Sequence, residues 1–247
     1  MFTINSKLNF FSLSLKIVIQ FFIIGIIIMT TATSAYANKN LMLLPEYIVF
    51  DPAKDTEVPK IYRKIAKPLS FPLSAADEKD IGLLTTKFDN ETNCAGLAAP
   101  QIGISKAVIV FSVPDNDPEF KKRHPDLTDT DIMPKTIWIN PKYKGVKSFG
   151  YNEDYEGCFS VKNYAGRVTR YKKISYEAYT PTGQLIKGTA AGFLARLIQH
   201  ETDHLNGILW TDKVDPSKFM PLNEYRRMRQ TQLEQAKTTN IKNKEEL

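Results

Sequence analysis

Residues 189–207 read TAAGFLARLIQHETDHLNG, and the interpretation of the whole chain turns on them. The spacing predicts a helix over residues 189–206. Thr189 can cap its start, and Asn206-Gly207 supplies a stop. Phe193, Leu194, Leu197, Ile198 and Leu205 make a broad apolar face, so the helix belongs to the core. Within it stands His200-Glu201-Thr202-Asp203-His204. Four residues is slightly more than one helical turn, so the two imidazoles project from one face and can hold one ion. Glu201 lies beside them and can take a proton from a water activated there. The blander alternative is two surface histidines on a polar stripe. Against it, these are two of only three histidines in the chain, on a helix that is otherwise core. The third, His124, sits in a stretch rich in Pro and Asp and reads as a solvated side chain.

Two histidines do not close a catalytic metal site, which usually has three protein ligands and one open position. Two residues can supply the third. Glu224 follows His200 by 24 residues, the separation found in thermolysin-like zinc proteases. Cys158 lies 42 residues before His200, inside Glu156-Gly157-Cys158-Phe159-Ser160. A thiolate is the stronger ligand for soft or borderline ions. A lone cysteine is more often a small buried apolar residue, and spacing leaves both candidates open. A third segment, residues 96–103 (GLAAPQIG), is small and glycine-containing, and reads as a tight loop packed closely against something.

Taken in order, GLAAPQIG, EGCFS and QHETDHLNG resemble the three motifs of the peptide deformylase family. Residues 63–68 (RKIAKP), 139–141 (INP), 168–170 (VTR) and 195–199 (ARLIQ) resemble further family positions, so the likeness runs from about Pro59 to Lys237. The resemblance implies Cys158, His200 and His204 as metal ligands. It implies ferrous iron as the usual ion, with zinc, nickel or cobalt able to substitute. Glu201 is then the proton-transferring base, and the Gln101 side chain and the Phe159 backbone N–H are the oxyanion donors. Gly96 and Gly157 present backbone groups to an extended N-formylmethionyl peptide, the expected partner, which lies like an added strand. Arg170 orders the loop around Cys158, and Asp203 is structural. Cys94 stands where family members often carry glycine.

The remaining pattern predicts an α+β single domain of mainly antiparallel sheets around the core helix, with a C-terminal helix. A capped amphipathic helix is expected over residues 74–90. Strands are expected at 107–113, 137–140, 168–179 and 185–186, with a long surface loop at 114–134. A polar helix from Asn223 to about Lys237 follows, with Arg226, Arg227 and Arg229 on a solvated face. Residues 1–37 read as a secretory signal: Lys7 and Lys16, an apolar run over residues 17–29, then Ala35-Tyr36-Ala37. An uncleaved membrane anchor is the main rival, and an organelle presequence the weaker one. The domain organisation expected is a signal over 1–37, an irregular lead-in over 38–58, a catalytic domain over 59–237 and a frayed tail over 238–247.

The chain is 43% hydrophobic and 24% charged, ordinary for a globular protein. Its net charge is +6, two of it from the leader lysines, which does not indicate a nucleic-acid partner. Two cysteines do not staple a chain of this length. The functional expectation is a deformylase releasing formate, exported to the periplasm or secreted and free of the membrane once the signal is cleaved. Export sits awkwardly with formylated chains, which arise at bacterial-type ribosomes. The alternatives are therefore an exported hydrolase of other N-formyl amides, a non-enzymatic peptide or metal binder, or the zinc protease above.

Overall fold

In the computed structural model residues 44–245 are described, with side chains through Gln235. The expected signal segment lies outside them. From Pro45 onward the chain forms one compact unit. Its elements run in the order α1 (Ala75–Asn90), β1 (Gly96–Ala98), β2 (Val108–Val113), α2 (Pro118–Arg123), β3 (Met133–Gly145), β4 (Tyr151–Cys158), β5 (Val161–Tyr171), β6 (Lys173–Tyr179), β7 (Leu185–Ala191), α3 (Gly192–Leu205), β8 (Met220–Pro221) and α4 (Leu222–Glu245). All strand pairs within the sheets are antiparallel. One sheet has the order β1-β2-β3-β6-β7, the other β4-β5-β8. This is the α+β fold expected, with the HExxH sequence on a core helix.

Strand β2 shows why the larger sheet sits between two layers. Ile109, Phe111 and Val113 belong to the core around α3, with Trp138, Ile174, Leu194 and Ile198. Val108 and Val110 pack on the opposite side with Leu84 and Phe88 of α1. A strand covered on both faces has no polar alternation, so β2 reads as a continuous apolar run. Helix α1 begins as expected: Ser74 and Asp77 form a reciprocal capping box.

Several expected boundaries are corrected. Thr189 does not cap α3. It is paired with Ser175 in the β6–β7 ladder, and the helix starts at Gly192. Its cap comes from far away: the buried Asp131 carboxylate accepts from the Leu194 amide at 3.0 Å. Gly192 has a φ of +59°, and a Cβ there would meet Asp131 Oδ1 at 2.6 Å, so glycine serves both the turn and the cap. The loop over 114–134 is thus partly internal. It contains α2, and His124 is no solvated residue: its ring packs 4.6 Å from Phe120 and 4.4 Å from Phe193, centroid to centroid.

The strand expected over 168–179 is two strands in different sheets, because the chain turns a corner at Lys172. Alternation continues through that corner, so the pattern alone cannot reveal it. GLAAPQIG is not all loop: Gly96–Ala98 pairs with β2 before a 3-10 turn over Ala99–Ile102. Helix α4 runs to Glu245, past the end expected near Lys237, and residues 222–245 contain no glycine or proline to stop it. Among the described residues no helix is long and apolar enough to cross a membrane.

Candidate metal centre and active site

Helix α3 and the end of β4 bring the expected ligands together. His200 and His204 are one turn apart on α3, with their Nε2 atoms 3.2 Å apart. The Cys158 Sγ lies 3.6 Å from His204 Nε2. All three ligand atoms fall within 4.8 Å of one another. Cys158 closes β4, where the β4–β5 register shifts between Glu156 and Cys158: Gly157 stands opposite the stretch 162–165 of β5. Such an irregularity locally disrupts the ladder and bends the strands beside it. Glu224 is not in the group and stands exposed in the first turn of α4.

Cys158, His200 and His204 form a metal-binding site. Two imidazoles and one thiol make a donor set suited to zinc or ferrous iron and leave one coordination position open. The fit is supported by Glu201. It is buried, and its Oε2 has no hydrogen-bond partner among the described residues. A buried carboxylate oxygen without a partner is costly unless a bound species completes it. Burial pushes the Glu201 carboxyl up to about 7; the nearby His200 lowers it and Glu156 raises it again.

A polar network supports the ligands from behind. Glu156 Oε2 lies 2.8 Å from His200 Nδ1, which leaves Nε2 for an ion. Arg170 grips both Glu156 oxygens, at 2.9 and 2.8 Å, and Arg196 adds a bond at 2.7 Å. Burial raises the Glu156 carboxyl, but the bonds from Arg170 and His200 outweigh it and hold it below the usual carboxylate range. Arg170 also bonds to Asp203, which accepts from the Tyr143 hydroxyl and pairs with Lys213. Arg170 thus binds Glu156 on the strand that ends at Cys158, and Asp203 sits in the network rather than in the ligand cluster.

The small-residue loop lies alongside. Gln101 is buried; its Oε1 accepts from the Ala98 amide at 2.8 Å, and its Nε2 lies 3.5 Å from Cys158 Sγ. Gly96 is needed for close approach: a Cβ there would stand 2.6 Å from Glu201 Oε1. The Cys94 thiol donates to the Gly96 carbonyl at 3.2 Å. Burial, with the charges of Glu201 and Glu91, pushes that thiol upward, and both cysteines are free. Phe159 is partly exposed beside the site.

Sequence reasoning assigned no role to Glu156, Arg196, Tyr62 or Ser160. Glu156 lay within a quoted motif, two residues before the cysteine. Ser160 closes the same motif, while Tyr62 carried no local signal, since the two meet across 98 residues.

The polypeptide deformylase family matches residues 54–220. The chain is 54% identical over 199 residues to peptide deformylase 2 of Rickettsia conorii, covering 80% of this chain and 96% of that one. It is 37% identical over 159 residues to peptide deformylase 2 of Pseudomonas syringae pv. tomato, covering 63% and 83%. Among solved structures it resembles a class I type b peptide deformylase from Acinetobacter baumannii with Met-Ala-Ser bound. The TM-score is 0.55 and the identity 31%, over 64% of this chain and 94% of that one. The peptide deformylase of Thermotoga maritima is similar at a TM-score of 0.54 and 26% identity, over 70% and 99%. With its metal site, its core helix and this likeness over most of its length, the chain belongs to the peptide deformylase family, metal-dependent hydrolases that remove the N-formyl group from N-formylmethionyl peptides.

Proposed function

We propose that this chain carries out deformylation with Glu201 as the base and with Gln101 and the Phe159 N–H as the oxyanion donors, using ferrous iron held by Cys158, His200 and His204. The observation that carries the reading is the buried, unpartnered Glu201 oxygen beside the three converging ligand atoms. A divalent ion bound there supplies Lewis acidity and lowers the pKa of water. Glu201 holds a proton at a carboxylate oxygen and delivers it to the departing amine. Burial raises the Glu201 carboxyl and so favours its taking that proton, while a bound cation opposes the shift. The Gln101 Nε2–H and the Phe159 N–H bond to the formyl oxygen as it gains negative charge. Each such donor contributes about 3 kcal/mol to the transition state. Gly96, on edge strand β1, and Gly157, on β4, offer backbone to an extended peptide.

The Acinetobacter relative, solved with Met-Ala-Ser, supports a peptide beginning with methionine as the product. The leader over residues 1–37 supports export, where N-formyl peptides or other N-formyl amides are the substrates.

The test is formate release from a formyl-Met peptide, measured beside bound metal. Glu201→Gln keeps the ion and loses turnover by orders of magnitude. Gln101→Ala lowers turnover about 100-fold with the ion retained. Cys158→Ala loses the ion, and Glu224→Ala changes neither. Ion loss in Glu224→Ala with retention in Cys158→Ala, or amino-acid release from unformylated peptides, overturns the assignment.

A further inference from the structure

Residues 47–50 precede residue 54, where the family match begins. They nonetheless bond to both segments that hold the oxyanion donors. The Ile48 amide donates to the Gln101 carbonyl at 2.8 Å. The Phe50 amide donates to the Ser160 carbonyl at 2.9 Å, and the Phe50 carbonyl accepts from Lys162, a parallel bridge beside Val161. The Tyr47 ring lies flat on Phe159, with centroids 4.9 Å apart and planes within 5°. Lys87 of α1 places its Nζ 4.3 Å from the Tyr47 ring centre.

A second path reaches the Gln101 side chain itself. Its Oε1 is held by the Ala98 amide, so Nε2 faces Ser160 Oγ at 3.2 Å. The Tyr62 hydroxyl lies 2.6 Å from Ser160 Oγ and 2.6 Å from the Ile48 carbonyl oxygen. A carbonyl only accepts, and Tyr62 has one hydroxyl proton. The proton order is therefore Gln101 to Ser160, Ser160 to Tyr62, and Tyr62 to Ile48. Ser160 and Tyr62 are fully buried, so solvent does not compete for these bonds. One Gln101 N–H is thereby held by Ser160. The other is left for the Cys158 side, where Sγ lies 3.5 Å from Nε2.

We propose that residues 47–50 and Tyr62 are positioning residues for deformylation, holding the Gln101 amide and the Phe159 backbone in register for the same developing negative charge. The inference rests on the oxyanion role given above to Gln101 and Phe159. It explains why Tyr62, whose ring centre lies 6.1 Å from that of His204, keeps a hydroxyl in a fully buried place. It also gives the segment upstream of the family match a part in the chemistry.

The experiment uses the metal-loaded enzyme and three variants. Tyr62→Phe removes the hydroxyl and keeps the ring. Tyr47→Ala removes the stack on Phe159, and Tyr47→Phe keeps it. The readouts are kcat and KM on a formyl-Met peptide, bound metal, and the NMR resonance of the Gln101 side-chain amide in zinc-loaded protein. Tyr62→Phe and Tyr47→Ala each lower kcat about 10-fold, with KM within about twofold and metal content unchanged. Tyr47→Phe restores kcat, and the Gln101 amide resonance moves in Tyr62→Phe. Unchanged kcat in both Tyr62→Phe and Tyr47→Ala, or a loss carried by KM or by bound metal, overturns the proposal. If Tyr62→Phe folds poorly, the Tyr47 pair decides. Gln101→Ala in the same assay separates the two levels. Full turnover there removes the oxyanion role and this proposal with it. Lost turnover there, with both positioning variants unaffected, removes the positioning role alone.

Discussion

Gly96 shows how closely the site is packed around its base. Three atoms of Glu201 would lie within 2.8 Å of a Cβ at position 96. Gly96→Ala must therefore push Glu201 aside, and we expect kcat to fall at least about 10-fold while bound metal stays. Steady-state kinetics with metal analysis checks this. Burial also bears on pH. The Glu201 carboxyl stands near 7 in the site, and a bound cation pulls it back toward the ordinary carboxylate value. Only the ionised form is a base, so kcat/KM falls as pH drops through that value. The acid limb is expected to have its midpoint no higher than about 7. An acid limb with its midpoint well above 7 would assign it to a group other than Glu201. Glu156 acts one step back, through His200 Nδ1. Glu156→Gln breaks up a carboxylate shared by two arginines and the imidazole. Metal affinity should drop about 10- to 100-fold, read by competition with a chelator.

At the scale of elements, α3 carries two ligands and the base, and a distant carboxylate fixes its start. Asp131 Oδ1 accepts from Leu194 N, while Oδ2 accepts from the Thr128 amide and hydroxyl. Asp131→Ala leaves the Leu194 amide unpaired in a buried place, while Thr128 is exposed and can bond to water. We expect a loss of about 2 kcal/mol in unfolding free energy, measured by urea titration. The helix itself was legible in its apolar face, and so was its end at Asn206-Gly207. Its beginning was not, because Thr189 matches a cap locally while the β6–β7 ladder claims it. Strand β4 escaped notice for a related reason. Most of its residues are exposed, so it carries no apolar stripe, and its pairing with β5 defines it.

For the molecule as a whole, the leader calls for its own test. Lys7, Lys16, the apolar run over 17–29 and Ala35-Tyr36-Ala37 favour cleavage after residue 37. Amino-terminal sequencing of exported protein should begin at Asn38, and recovery of Met1 would favour an uncleaved anchor. Cleavage there leaves residues 47–50 in place, so the mature chain keeps its contacts with Gln101 and Ser160. What the sequence by itself determined was the chemistry. HETDH on an amphipathic helix defines a two-histidine face because α-helical geometry is local, and EGCFS and GLAAPQIG name the remaining parts through their likeness to a family. Only the tertiary structure decided how those parts are held. Cys158, at the irregular end of the β4–β5 ladder, joins histidines more than 40 residues away, and Glu156 meets Arg170, Arg196 and His200 across two elements. The Gln101–Ser160–Tyr62–Ile48 chain closes over separations up to 98 residues. Such bonds depend on how sheets and helix pack, and no local pattern along the chain encodes that.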